Sequence, residues 1–235
     1  MLPEIDAGGQ IKLANARVII FGLGGLGSSA SIYLAAAGVG HLVLVDFDKV
    51  DMSNLQRQIL HSSNDIGRYK TESAKDHLLS LNPNVKLTLI DRKLEDSELY
   101  EQVKKVDVVI DATDNFTSRF MINKACVQAK KPLVSGAAIR FEAQVSVFDP
   151  REKTSPCYRC LYGEQDITDE TCTANGVISP LLGIVGSIQA IETMKLIMEI
   201  GQTLICRLIL FDAMSMEWHQ ARLAKDPECP VCSNE

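Results

Sequence analysis

Gly22-Leu23-Gly24-Gly25-Leu26-Gly27 stands between an apolar run and a run of small residues. A G-x-G-x-x-G turn that follows a strand and opens a helix lets an anion approach the backbone closely. The free N–H groups at the helix start then hold it. Asp46 lies 19 positions after Gly27, at the end of the next apolar run. A carboxylate there accepts hydrogen bonds from ribose hydroxyls. The plainer reading is a glycine turn that only packs helix on strand. Strand, turn, helix and acid together favour a nucleotide over that reading, without separating NAD from ATP.

The next segment separates them. Ser53-Asn54-Leu55-Gln56-Arg57-Gln58 is followed by Lys70, which places amides, a guanidinium and an ammonium just beyond the ribose position. Arg57 and Lys70 together suit a triphosphate, whereas NAD needs no such pair. Asp111-Ala112-Thr113-Asp114-Asn115 closes a later apolar run. Ligands gather at the carboxyl ends of parallel strands, and a carboxylate there can hold Mg²⁺ against phosphates. Taken singly, Arg57 or Lys70 reads as a surface ion pair, and Asp114 or Asn115 as a helix cap. Their shared position at strand ends favours the ligand.

Seven cysteines are present, and four form the pairs Cys157-Tyr158-Arg159-Cys160 and Cys229-Pro230-Val231-Cys232. Two C-x-x-C knuckles supply four thiolates for a tetrahedral Zn²⁺. With 68 residues between Cys160 and Cys229, the metal would clip the C-terminal segment to the body. The competing readings are four unrelated thiols or a redox pair, but neither pair clearly opens a helix after a strand, as a thioredoxin-like site would. Cys172, in the polar stretch 170–176, is placed to accept an acyl group or sulfur, and reads equally as a loop cysteine. Cys126 and Cys206 sit on apolar faces and are expected in the core. His41, His61, His77 and His219 show no ligand spacing and receive no role.

These groups need a scaffold, and the hydrophobic pattern supplies one. Strands are predicted at 16–21, 42–45, 85–90, 106–110 and 132–135, separated by helices at 28–37, 71–81, 97–103 and 116–129. Strands alternating with helices imply a parallel, doubly wound α/β sheet of the Rossmann type. After residue 136 the pattern changes to strands at 143–148 and 208–211 around one long helix, 178–200. The expectation is a single domain over 1–235. Residues 11–136 form a nucleotide-binding half, and 137–235 a mixed or antiparallel half with the zinc clip.

A chain of 235 residues buries roughly 70–75% of its unfolded surface and builds a core unaided. The net charge of −6 and the absence of a basic patch argue against a nucleic-acid partner. The most apolar stretch, 177–200, is interrupted by Ser179, Pro180, Gln189, Glu192, Lys195 and Glu199, which suits a buried helix better than a bilayer span. With no secretory signal pattern either, the chain is expected in the cytoplasm.

The set GLGGLG, LVDFD, SNLQRQ, Lys70, DATDN, PLVSGAAI, CYRC and CPVC resembles the ThiF/MoeB/HesA family, bacterial relatives of ubiquitin-activating enzymes. The resemblance runs in order from about Ile11 to Cys232. It implies MgATP-dependent adenylation of the C-terminal glycine of a small ubiquitin-like sulfur carrier, ThiS- or MoaD-like, ending in Gly-Gly. It implies a nucleotide site formed by the glycine turn (Gly22, Gly24, Gly25, Gly27), Asp46, Ser53, Asn54, Leu55, Gln56, Arg57, Lys70, Asp114 and Asn115. In that site Asp46 takes the ribose, Asn54, Arg57 and Lys70 the phosphates, and Asp114 the Mg²⁺. Thiamin-pathway members use a cysteine matching Cys172 in sulfur transfer. The family is typically homodimeric, and the sulfur donor is expected to be a separate protein. Close members also carry an RYxRQ-like motif on an upstream helix, whose arginine enters the partner's ATP site. The first arginine here is Arg17, at the start of a strand, so slow adenylation is expected of the chain as given. Two rival readings are an NAD-dependent dehydrogenase and a non-catalytic, zinc-stabilised nucleotide-binding adaptor.

Overall fold

The computed structural model describes residues 5–163 and 176–233. The first part of the chain runs α1 (Ala7–Asn15), β1 (Arg17–Phe21), α2 (Gly25–Ala36), β2 (His41–Val45), α3 (Lys70–Leu81), β3 (Lys86–Ile90), α4 (Asp96–Lys104), β4 (Val108–Asp111) and α5 (Phe116–Ala129). It continues through β5 (Leu133–Ile139), β6 (Glu142–Phe148), α6 (Tyr158–Leu161), α7 (Ser179–Met198), β7 (Arg207–Asp212) and β8 (Glu217–Arg222). The strands form one eight-stranded sheet in the order β3-β2-β1-β4-β5-β6-β7-β8. The pairs from β3 through β5 are parallel. Those from β5 through β8 are antiparallel. The doubly wound sheet with an antiparallel extension is the architecture the sequence pattern implies.

Alternation along the strands explains why both faces are covered. On β1, Val18 and Ile20 point into a core shared with α2, α3 and α7. Ile19 and Phe21 point into a second core, shared with α4, α5 and α6. Fully buried strands of this kind read as continuous apolar runs, which is why the central strands were predictable. Chain order reverses direction between β1 and β4, and the crevice outside their carboxyl ends is where such sheets bind ligands.

Several boundaries differ from the sequence expectation. Helix α2 begins at Gly25 rather than at residue 28, because the glycine turn itself supplies the first helical turn. Strand β5 runs to Ile139, well past residue 135, because β6 folds back onto it in register from Leu133–Phe148 to Ile139–Glu142. Helix α1 and strand β8 were not anticipated. In α1 two adjacent glycines mask the helix, and Asp6 sets its start by accepting from the Gly8 and Gly9 N–H groups. In β8 nearly every residue is exposed, so no apolar alternation marks it. Cys126 is buried as expected, whereas Cys206 is only half-buried. Cys206 sits at a left-handed turn, φ 59°, leading into β7, with its thiol on the Thr154 carbonyl.

Among the described residues, one helix is long and apolar enough to cross a membrane by length and composition, α7, and half of that stretch is buried. Its residues Leu181, Leu182 and Val185 join the core on the α2 side of the sheet.

The glycine turn depends on two close approaches. Gly22 has φ 89°, a left-handed conformation that disfavours any side chain. A Cβ on Gly27 would stand 1.9 Å from the Gly22 carbonyl oxygen, so α2 can close onto β1 only with glycine there. Gly27→Ala is therefore expected to destabilise the protein by about 3 kcal/mol, the upper range for overpacking. Gly24→Ala, whose Cβ would meet nothing nearer than the Gln58 amide at 3.7 Å, is expected to leave stability nearly unchanged. Urea unfolding of both variants checks this; equal midpoints would contradict the packing role of Gly27.

Candidate functional site

A cavity of about 550 Å³ opens at the carboxyl ends of the parallel strands. The glycine turn forms its floor through Gly22, Gly24 and Gly25. Gly24 is the N-cap of α2 and brings no side-chain acceptor to the first N–H groups of that helix. Those groups are available to an anion. Gly27 does not line the cavity; its role is the packing described above.

Asp46 follows β2 and is 8% exposed. One carboxylate oxygen accepts from the Leu23 N–H at 2.7 Å, the other from the Asp48 N–H at 2.9 Å. Burial raises its pKa, opposed by the Lys70 ammonium and by these two N–H donors. Lys70 opens α3 and is buried, with its Nζ 2.9 Å from Asp48 and 3.9 Å from Asp46. It is not a surface ion pair: a buried ammonium beside the glycine turn is a fixed positive charge on the cavity wall.

The segment Ser53 to Gln58 forms a short turn whose start is fixed by Asp51. The Asp51 carboxylate accepts from both the N–H and the hydroxyl of Ser53, at 2.8 and 2.6 Å. Arg57 reaches back to the Ser53 carbonyl at 3.2 Å and lines the cavity. Ser53, Asn54, Leu55 and Gln56 do not line it; they build the turn that delivers Arg57 and Gln58. Gln58 is 5% exposed, lines the cavity, and its Oε1 has no hydrogen-bond partner among the described residues.

Asp114 and Asn115 also line the cavity. Asn115 caps α5 by accepting from the Ser118 N–H at 2.9 Å, so the helix-cap reading holds for Asn115. Asp114 is exposed to the cavity. The loop carrying it is braced from beneath. Asp111 is fully buried, accepts from the Thr113 N–H and hydroxyl, and has its pKa raised by burial. Arg119 donates to the Thr113 carbonyl at 2.9 Å. Gln189 of α7 donates to the carbonyls of Asp111 and Val134, at 2.8 and 3.2 Å.

Sequence reasoning missed Gln58, Arg92, Lys93 and Arg119 as lining residues. Arg92 and Lys93 follow β3, so the strand-end rule that located Asp46 and Asp114 applies to them equally. Arg92 is clamped by Glu98 at 2.6 and 2.9 Å, and Lys93 lies over the Phe47 ring, 4.7 Å from its centre. Among the described residues, five cationic side chains line the cavity (Arg57, Lys70, Arg92, Lys93, Arg119) against three carboxylates (Asp46, Asp48, Asp114). A positive cavity in a protein of net charge −6 suits a polyanion. Its lining also includes the apolar side chains of Val45, Leu94, Leu99, Met121 and Ile122. Among the described residues, neither a histidine nor a tyrosine lines it. Arg17 lies at the opposite, amino end of β1, where its N–H meets the Asp107 carboxylate.

The four paired cysteines come together away from the cavity. Their Sγ atoms all lie within 4.8 Å of one another, a grouping that can hold a metal ion. Cys157 and Cys229 are 3.7 Å apart, and Cys160 and Cys232 3.5 Å. The Asn123 amide of α5 and the Cys157 N–H point at sulfurs of the group. Hydrogen bonding with the Cys157 thiol lowers the pKa of Cys160. Cys172 lies outside the described residues.

An open crevice at the strand switch, with a glycine turn beneath and paired cysteines tying down the C-terminal segment, defines a ligand-binding doubly wound α/β domain. The chain belongs to the ThiF family, whose model matches residues 1–231. It is 45% identical over 235 residues to the molybdopterin-synthase adenylyltransferase of Escherichia coli, covering 99% of this chain and 93% of that protein. It is 42% identical over 232 residues to the sulfur carrier protein ThiS adenylyltransferase of Escherichia coli, covering 99% and 92%. A crystal structure of Escherichia coli MccB with ATP superposes with a TM-score of 0.84 at 27% identity, over 96% of this chain and 68% of MccB.

Proposed function

We propose that this protein uses MgATP to adenylate the C-terminal glycine of a small ubiquitin-like sulfur carrier ending in Gly-Gly. The observation that carries the reading is the cavity. Its lining combines the glycine turn, the cations Arg57 and Lys70, the Asp114 carboxylate and the apolar side chains of Val45, Leu94, Leu99, Met121 and Ile122. The apolar side chains take the adenine and Asp46 the ribose hydroxyls. Arg57, Lys70 and the N–H groups of the glycine turn take the phosphates, and the Ser53 to Gln56 turn holds Arg57 in place. Asp114 would hold Mg²⁺, which neutralises phosphate oxygens. Relatives named as adenylyltransferases of molybdopterin synthase and of ThiS support this choice over a dehydrogenase or an inert adaptor.

The chemistry asks little of the protein beyond placement and charge. The carrier's carboxylate is already the nucleophile, so no general base is needed. One of its oxygens attacks the α-phosphorus, the bond from that phosphorus to the bridging oxygen breaks, and pyrophosphate leaves with the electron pair. The product is an acyl-adenylate. Arg57 and Lys70 lower the repulsion between the two approaching anions and stabilise charge on the departing pyrophosphate. The bracing of Asp111, Arg119 and Gln189 keeps the Asp114 loop fixed while this happens.

The four cysteines are read as a structural Zn²⁺ site. Thiolates on a tetrahedral zinc at about 2.3 Å stand about 3.8 Å apart, close to the separations here. A homodimer fits the exposed apolar side chains on α2 and α7 and near them: Tyr33, Ile59 and Ile191 are 56%, 59% and 54% exposed. The cytoplasm is the setting that suits such an enzyme, with a separate protein as sulfur donor.

Isotope tracing tests the reaction. Label in the α-phosphate of ATP should move onto the carrier, and label in the γ-phosphate should leave as pyrophosphate. Label moving from the γ-phosphate onto the carrier would mean phosphorylation and would overturn the reading.

A further inference from the structure

His61 has no place in the reading above and does not line the cavity, yet it touches the glycine turn from behind. It is 7% exposed. Its Nε2 lies 3.1 Å from the Leu23 carbonyl oxygen, and its Nδ1 lies 2.8 Å from the Ser73 hydroxyl. A carbonyl oxygen only accepts, so Nε2 carries the proton. Nδ1 shares a hydrogen bond with the Ser73 hydroxyl, which also meets the Asp65 carboxylate. Burial lowers the pKa of His61, with the Lys70 and His77 charges in the same direction, against Asp65 and the Leu23 hydrogen bond.

Leu23 is held from both sides. Its N–H goes to the Asp46 carboxylate at 2.7 Å and its carbonyl to His61. The carbonyl of Leu23 and the N–H of Gly24 belong to one trans peptide unit, so they point in opposite directions. With the carbonyl drawn back to a buried imidazole, the Gly24 N–H is turned the other way, toward the cavity that Gly24 lines. Ser73 sits on α3 one turn after Lys70, so the same ring also ties the anion-binding turn to the helix that carries the buried ammonium.

We propose that His61 is a positioning residue that fixes the Leu23–Gly24 peptide, and with it the N–H that meets the phosphates of the nucleotide. The proposal rests on the nucleotide reading of the cavity. Glycine at positions 22, 24 and 25 leaves this backbone free to rotate, and the imidazole removes that freedom without entering the site. The energy of His61 is spent on the phosphate end of the ligand alone.

That asymmetry gives the test. Calorimetric titration of the full chain with ATP, inorganic pyrophosphate and adenosine separates phosphate binding from base and ribose binding. His61→Leu removes the donor and keeps the volume. ATP and pyrophosphate should weaken about tenfold or more, the loss expected for a hydrogen bond to a charged group, while adenosine stays within about twofold. His61→Gln, whose amide can donate to the same carbonyl, should recover most of the ATP affinity. Should His61→Leu fail to fold, Ser73→Ala loosens the ring from its other side and should show the same split in smaller measure. Unchanged ATP affinity in the folded variants, or an equal loss for ATP and adenosine, would overturn the proposal. Wild-type protein that binds no ATP at all would instead overturn the reading of the cavity.

Discussion

Asp114→Ala is expected to abolish carrier-dependent adenylation while leaving the melting temperature within about a degree of wild type. The separation of these effects follows from where Asp114 stands. It is exposed to the cavity, and the cap of α5 is supplied by its neighbour Asn115. The loop's position is set by Asp111, Arg119 and Gln189 beneath it. On the proposed reading, removing the Asp114 carboxylate takes away the Mg²⁺ ligand and little of the fold. The carboxylate acts on the phosphates only through that ion, and loss of one such stabiliser of transition-state charge costs about 10²–10³ in rate. Asn115→Ala should behave in the opposite way, losing about 1 kcal/mol of stability through the missing cap. Steady-state rates and thermal melts on the same two preparations check both. An Asp114→Ala enzyme with more than a tenth of wild-type activity would contradict the assignment.

Cys229→Ser is expected to release zinc and to lower the melting temperature by about 10 °C. Structural zinc contributes on the order of 10–16 kcal/mol of apparent binding free energy in small peptides. Here the metal would join residues 157–160 to the C-terminal segment rather than organise a whole core, so only part of that energy is felt by the domain. A loss of about 4 kcal/mol shifts the midpoint of a chain this size by about 10 °C. ATP affinity should change little. Asn123, which contacts the cluster, lies eight residues along α5 from Asn115, about 12 Å of helix. Metal analysis of protein purified without chelator should find one zinc per chain, and the variant none. Full stability in a zinc-free variant would contradict a structural role.

How far such a site can be read from sequence depends on how each residue acts. Asp46 and Asp114 were legible as cavity-lining residues because they are charged and stand just past strands that are apolar on both faces, and Arg57 and Lys70 because they are cations in the polar connection between β2 and α3. The cysteine pairs were legible because their spacing is a property of the chain itself. Arg92 and Lys93 follow β3 in the same way, but that edge strand is only half-buried and marks its own end weakly. Gln58 hid behind its neighbours in SNLQRQ, of which Ser53 to Gln56 do not line the cavity. His61 could not be found from spacing at all. It works through a backbone carbonyl 38 positions away, and such contacts leave no residue-type signature. Strand β8 was invisible for a related reason: it is held by its ladder to β7 and by Trp218 stacked on Phe211, not by an apolar face.

The most direct measurement of the central claim is exchange of labelled pyrophosphate into ATP, with and without a carrier protein ending in Gly-Gly. Reversal of acyl-adenylate formation is the only step in this account that returns pyrophosphate to ATP, and it requires the carrier's terminal carboxylate. The account predicts exchange that needs the intact carrier, vanishes when its last glycine is removed, and is lost in Asp114→Ala. Exchange at the same rate without any carrier, or none with the intact carrier while ATP is bound, would contradict it.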